Sequence, residues 1–482
     1  MSSWFDAVEP ILRILPEVPR PERRLPFRTR LFWTGIVLLL YLIMCQIPLY
    51  GITWRPEIYR RFFFLQIVLA SRRGTLMELG IGPIVTSGLI WQILVGSKVV
   101  KIDLSSPRGR AIFTGLQKLF AIIFTFIEAA AYIIGGMYGP LPATTAIIIF
   151  VQLVTATLLL ILLDEMLQKG WGLGSGVSLF IAAGVAQQMF WQLFSPLGPA
   201  IDNLPIGVIP SLAYVIYNAT VTGNWKILNK ILLRPGGYPD LTGLIATIFL
   251  FLALLYLENI RIEVPVALSR YGGIRSKIPF KFMYVSNVPV ILVSALFADI
   301  HIFARIAWSR LNPENTNPWL NFIAKYNVTE GGNLIPLPGC LVYYLSPPAG
   351  ILEVAQDPLR FLIYAALFVI LSVFFSIAWV ETSGMDPRSQ AEQLVQAQLV
   401  IPGFRRSPRI IAMLLERYIP VLTIVSGLTV GLIAVLSDLL GVLGTGIGIL
   451  LLIDIILQYQ ALIMQERALE MYPMLRRLIG RE

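Results

Sequence analysis

ELGIGPIVTSGLIWQILVGSK, residues 78–98, holds nineteen uncharged residues in a row, Leu79 to Ser97, between Glu78 and Lys98. At about 1.5 Å per helical residue, that run approaches the ~30 Å hydrocarbon core of a bilayer. Gly80, Gly82 and Pro83 crowd its first turn, and Gly88 follows. Small residues of this kind suit a helix that approaches other helices or a cavity rather than lipid alone.

Just before it lies RRFFFLQIVLASRR, residues 60–73. Only ten uncharged residues, Phe62 to Ser71, separate its two arginine pairs. As a helix that core reaches about 15 Å, half a bilayer, so it cannot span. Two readings stay open on the residues alone: an interfacial amphipathic helix, or a stopper at the mouth of a pathway.

Working outward, the whole chain is apolar. Of its 482 residues 56% are hydrophobic and 14% charged, with a mean hydropathy of +0.74. A soluble domain of this size cannot hide so much apolar surface, so a polytopic membrane protein is expected. The first thirty residues carry six arginines and lack an isolated apolar run, so no cleavable leader is expected. Cys45 falls in a span and Cys340 in a polar loop, which gives no disulfide framework.

Ten spans are expected: 33–49, 79–97, 112–136, 143–163, one opening at Trp171–Gln188, then 241–262, 282–307, 359–380, 418–436 and 442–464. Residues 195–240 and 310–357 read as long polar loops on one face. Residues 263–281 and 381–417 read as basic loops on the other. Twenty-five of the 38 Lys and Arg fall on the N-terminal side of these crossings, which places both termini in the cytoplasm. Ten spans divide as five plus five, 1–240 and 241–482. An odd number per half gives opposite orientation, the layout of an inverted repeat. The expected fold class is therefore an all-α polytopic membrane protein of two inverted five-helix halves plus a short half-spanning helix, about 58–73.

The chemistry of enzymes is thinly represented. His301 is the only histidine and reads as a loop-edge residue rather than a catalyst. GLGSG (172–176) and GTGIG (444–448) look like fragments of phosphate cradles. No Lys-Ser/Thr follows them, so close helix packing is the better reading. Among acids near spans, Glu128 and Asp454 read as deep, while Asp164, Glu165, Asp299 and Asp438 read as span ends. A buried carboxylate is a functional candidate by default. Arg270, Arg275, Lys277, Arg405 and Arg406 stand in the basic loops, where the positive-inside bias or docking of a polyanion explains them equally. Asn218 and Asn327 open Asn-x-Thr glycosylation patterns. No enzyme activity, cofactor or metal site is expected.

Several long runs resemble one family. LGIGPIVTSGLIWQILVGS, DLSSPRGRAIFTGLQKLF, GLGSGVSLFIAAGV, YVSNVPVILVSALFA, WVETSGMDP and GFRRS, in that order, are similar to the SecY family, the central (alpha) subunit of the Sec protein translocon, closer to its archaeal and eukaryotic branch. The resemblance implies an hourglass pore between the halves, narrowed by a ring on Ile81, Val85, Val177, Ile181, Ile291 and Leu451. It makes the short helix a plug, with Arg60, Phe62, Phe63, Phe64, Leu65, Ile67, Val68 and Leu69. It implies a lateral gate carrying Thr86, Gln117 and Asn287, and ribosome docking at Arg270, Arg275, Lys277, Arg405 and Arg406. The partners implied are small single-span subunits (SecE/gamma-like and beta-like), the ribosome with its RNA, a nascent chain with a signal sequence, and the lipid bilayer. The implied location is the plasma membrane, or the endoplasmic reticulum in a eukaryote. The competing reading from another class is an ion-coupled secondary transporter of a small solute, which requires a polar midplane site where the ring would be aliphatic.

Overall fold

The computed structural model describes residues 10, 12, 14–23, 25–52, 70–96, 99–100, 102, 106–139, 141–198, 204–234, 238–268, 274–285, 288–328, 334–348, 350–396, 399–400 and 408–471. Ten helices account for the ten expected crossings. They are α1 (Phe27–Met44), α2 (Gly82–Gly96), α3 (Pro107–Ile134), α4 (Ala143–Met166) and α5 (Gly176–Phe194), then α7 (Leu241–Asn259), α8 (Val288–Leu311), α9 (Pro358–Thr382), α12 (Ile419–Leu439) and α13 (Gly446–Met471). Among the described residues, nine of the ten are long and apolar enough to cross a membrane. The tenth, α2, has only 15 residues because Gly80 at positive φ and the turn through Ile81 take up the start of its apolar run.

The starts of these helices follow from local chemistry. Ser106 accepts a hydrogen bond from the Gly109 N–H at 3.0 Å, with Pro107 in the first turn of α3. Asp240 does the same for Gly243 at 2.6 Å at the head of α7, and Asp357 for Arg360 at 3.0 Å at the head of α9. Each carboxylate or hydroxyl satisfies a backbone donor that the first turn leaves unpaired. The Tyr343 hydroxyl also donates to Asp357, at 2.7 Å, and together these donors hold the Asp357 carboxyl below the usual carboxylate range.

One buried apolar cluster draws on α1, α2, α4, α5, α7, α8, α9, α12 and α13. Outward-facing residues such as Ile147, Phe249, Leu362 and Ile370 are more than half exposed. That inversion is what a lipid solvent permits and water does not.

Two corners are built alike. α4 carries Asp164 in its last turn and returns as α5 through Leu167–Ser175; α12 carries Asp438 in its last turn and returns as α13 through Leu440–Thr445. At the first, the Val177 N–H donates to Asp164 at 3.0 Å. A Cβ on Gly176 would lie 2.7 Å from the Asp164 Cα, and one on Gly446 only 1.8 Å from the Ser437 Cβ. Close backbone approach explains both glycine runs.

Three expectations need correction. Residues 195–240 are not a plain polar loop: they contain α6 (Val208–Thr222), followed by a short return at Trp225–Leu232. Their Gly, Pro and Asn content masked an uncharged fifteen-residue helix. The two basic loops are not separate. β1 (Arg261–Leu268) pairs antiparallel with β2 (Ile274–Lys281), and β5 (Leu399–Val400) joins β1 through Ala267↔Val400 and Leu268↔Leu399. Between them, on the far face, β3 (Tyr326–Val328) and β4 (Leu334–Pro336) make a small hairpin. The second basic loop also carries α10 (Pro387–Gln396) and α11 (Pro408–Leu415), which pack on each other. Finally, His301 is 7% exposed inside α8 rather than at a loop edge; Cys340 does lie in the loop, and it and Cys45 are each buried.

Candidate functional site

Two lines of contact join α1–α5 to the helices from α7 onward. Along one, α2 packs against α8 and α9, and α3 against α8. Along the other, α5 packs against α13. The six ring positions come from these contact helices. Ile81 lies in the turn that leads into α2 and Val85 in the first turn of α2; Val177 and Ile181 lie one turn apart on α5, Ile291 is on α8 and Leu451 on α13. All six belong to the same apolar cluster. Ile81, Val85, Ile181 and Leu451 are buried in it, and Val177 and Ile291 are half-buried against it. A narrow aliphatic constriction offers an ion no substitute for its hydration shell and closes by dewetting.

Polar groups line the first seam. The Thr86 hydroxyl on α2 donates to the Asp299 carboxylate on α8, with its oxygens at 3.1 and 3.2 Å. Glu128 on α3 is buried within hydrogen-bond reach of Thr86 and close to Asp299. Its Oε1 has no hydrogen-bond partner among the described residues. Asp299 is therefore deep in α8, not at a span end as its sequence position suggested. Glu128 does not stand alone. One sequence signal was available: Glu128 lies eleven residues from Gln117, a spacing that returns to within about 20° of the same helix face.

Gln117 itself faces back into its own half. Its side chain lies over Gly88 of α2, and its carbonyl accepts from the Ser87 hydroxyl at 2.6 Å. Asn287 lies outside the described residues.

The second seam is tied by backbone. The Gly444 N–H donates to the Gln192 side chain at 2.6 Å. The Tyr459 hydroxyl lies 3.2 Å from the Leu173 carbonyl and 3.1 Å from that of Ser175. Sequence reasoning missed these residues, since nothing in their spacing marks them.

Every plug position, Arg60 and Phe62 through Leu69, lies outside the described residues. The chain leaving that segment is described and buried. Ala70 accepts from the Tyr41 hydroxyl at 3.0 Å, Leu49 N–H donates to Gly74 at 2.9 Å, and Glu78 accepts from the Gly74 N–H. Of the docking candidates, Lys277 is paired with Glu263 on the exposed hairpin, and Arg275 pairs in register with Ala267. Arg270, Arg405 and Arg406 lie outside the described residues.

Comparison with known proteins fits this arrangement. Residues 75–460 match the SecY family, and residues 39–74 match the plug domain of Sec61p. The chain is 41% identical to the protein translocase subunit SecY of Aeropyrum pernix, over 99% of each chain. Its fold superposes with a TM-score of 0.79 on a structure described as a protein conducting channel, at 38% identity over 97% of this chain and 98% of that one. With Sec61 in a canine ribosome-channel complex from the endoplasmic reticulum the TM-score is 0.76, again at 38% identity and the same coverage. A multi-pass helical chain with these seams, matched along nearly its whole length, belongs to the SecY family.

Proposed function

We propose that the chain is a protein-conducting channel that passes unfolded polypeptides across a membrane and releases apolar helices sideways into it. The observation that carries this reading is the gathering of Ile81, Val85, Val177, Ile181, Ile291 and Leu451 into one buried cluster fed from both sets of helices. In this reading residues 1–240 and 241–482 are two inverted halves, and those six side chains form the collar between them. An aliphatic collar yields around a passing chain without specific contacts and reseals by dewetting.

The segment 58–73 closes the pathway as a plug, a reading supported by the family match over 39–74. The seam of α2 and α3 against α8 and α9 is the lateral gate, with Thr86, Gln117 and Asn287 among its polar groups. The sheet β2–β1–β5 joins the two basic loops, so Arg270, Arg275, Lys277, Arg405 and Arg406 make one docking face for ribosomal RNA phosphates. Small single-span subunits complete the assembly, and a docked partner supplies the energy. The Lys and Arg bias places that face and both termini in the cytoplasm.

Reconstitution tests the function. Proteoliposomes holding the chain with co-expressed small subunits receive a ribosome-bound secretory chain with a signal sequence, or a small solute under an ion gradient. Protease-protected secretory product is expected. Solute uptake without protected product would establish the transporter reading instead.

A further inference from the structure

α6 has no charged residue, and large apolar or aromatic side chains make up most of its exposed surface, with Thr220 and Thr222 among them. Val208, Ser211, Val215 and Ala219 form its buried stripe, spaced three and four apart, and this stripe faces the neighbouring elements. The opposite side is exposed: Ile209, Tyr214, Ile216, Tyr217 and Val221 range from 42% to 67%. A helix apolar all round is stable in a protein core or in lipid, not in water. This one is not in the core.

Its surroundings say what covers it. α6 packs on α5, and the return at Asn229–Leu232 packs on both α6 and α7. The exposed sides of α5 and α7 carry Phe190, Trp191, Phe194, Ile245, Ile248 and Phe249, which face lipid if these helices span. The apolar side of α6 continues that surface. Its C-terminal end turns at Gly223, with φ +66°, into exposed Trp225, Lys226 and Lys230. A Trp with flanking lysines is the composition of the headgroup level, where an indole sits at the interface and ammonium groups meet phosphate. The buried Arg234 donates to the carbonyls of Pro205, Ile206 and Pro239 at 2.9, 3.2 and 3.1 Å, fixing the return against the start.

We propose that α6 is seated in the lipid of the leaflet on its own face of the protein, with Ile209, Ile216, Tyr217 and Val221 against acyl chains and Trp225, Lys226 and Lys230 at the headgroups. This gives the link between the two halves its own membrane anchor. The chain turns at Gly223 and comes back through Asn229–Leu232 to α7 on the face it left, so α6 enters one leaflet only. Asn218 lies on α6, and a lipid seat hides its glycosylation pattern from the transferring enzyme.

Site-directed spin labelling tests the seat. The full chain is reconstituted in vesicles of zwitterionic and anionic phospholipid, with and without co-expressed small subunits. Cysteine replaces Ile216, Tyr217 or Val221 in turn, and Glu314, exposed in the other loop of the same face, serves as the aqueous reference. Cys45 and Cys340 are buried and stay unlabelled. The ratio of collisions with oxygen to collisions with a water-soluble nickel chelate is expected to be several-fold higher at all three sites than at Glu314. A ratio equal to that of Glu314 places α6 in water and overturns the proposal. So does loss of both collisions, which would mean that another protein covers the helix.

Discussion

At the scale of single residues, the described part of the α2–α8 seam carries one side-chain bond from Thr86 to Asp299. Hydrogen bonds between membrane helices contribute roughly 0.6 kcal/mol on average and up to ~1.7. Thr86→Val keeps the volume and removes the donor, so it should shift the seam toward opening by that amount. Less hydrophobic signal sequences should then engage the channel, because each central Leu or Ile contributes about 0.3–0.6 kcal/mol to insertion. A translocation assay over a graded series of signals measures the threshold, and a threshold that does not move rejects the role of this bond. Gly446 gives a second prediction. A Cβ there meets the Ser437 Cβ at 1.8 Å, so Gly446→Ala should lower thermal stability in detergent by an overpacking cost of about 1–3 kcal/mol. Ser437→Gly in the same chain removes the colliding carbon and should recover most of the loss. Absence of that rescue would mean that the corner relaxes by another route.

At the scale of elements, the crossings were legible because each is a long run with few charges, and lipid demands such runs. What hid α6 was composition: Pro205, Gly207, Pro210, Gly223 and Asn224 flank or interrupt its apolar run. The sheet was hidden because β1 and β5 are far apart in the chain, Leu268 pairing with Leu399, 131 residues further on. Local periodicity carries no information about such partners. The ring positions came from family likeness; alone, Ile291 or Leu451 reads as ordinary packing. That sheet makes its own prediction. Replacing both Leu399 and Val400 with Pro removes two N–H donors, at least one of which an antiparallel pair requires. The segment carrying Arg405 and Arg406 should then detach from β1 and be cut faster by protease. Ribosome binding should weaken as much as in Arg405→Glu/Arg406→Glu, with the steep salt dependence of phosphate contacts. Binding indifferent to both changes and to salt would remove these loops from the docking face.

At the scale of the whole molecule, the two seams differ in how they are tied. The α5–α13 seam is held by bonds to backbone: Gly444 N–H to Gln192, and the Tyr459 hydroxyl to the carbonyls of Leu173 and Ser175. Gly444, at φ +71°, also packs directly on Met189, where a Cβ would come within 2.5 Å of its Cγ. Backbone ties on a tight turn resist shear and rotation alike. The α2–α8 seam relies on Thr86 and Asp299, side chains that can swing apart without disturbing a helix. Opening should therefore begin at α2–α8 and pivot at α5–α13. Joining Thr86→Cys to Asp299→Cys with a short bis-methanethiosulfonate, which forms a disulfide to each thiol and expels methanesulfinate, should stop release of apolar helices into lipid, and reducing those disulfides should restore it. Thr86 is as buried as Cys45 and Cys340, so the pair is built in a Cys45→Ala/Cys340→Ala chain, where no other thiol competes for the reagent. Tyr459→Phe should behave oppositely: it should lower thermal stability by about 1 kcal/mol, the net worth of one hydrogen bond, and leave the signal threshold where it was. If Tyr459→Phe moves the threshold as Thr86→Val is expected to, the back seam is not a pivot and both seams part together.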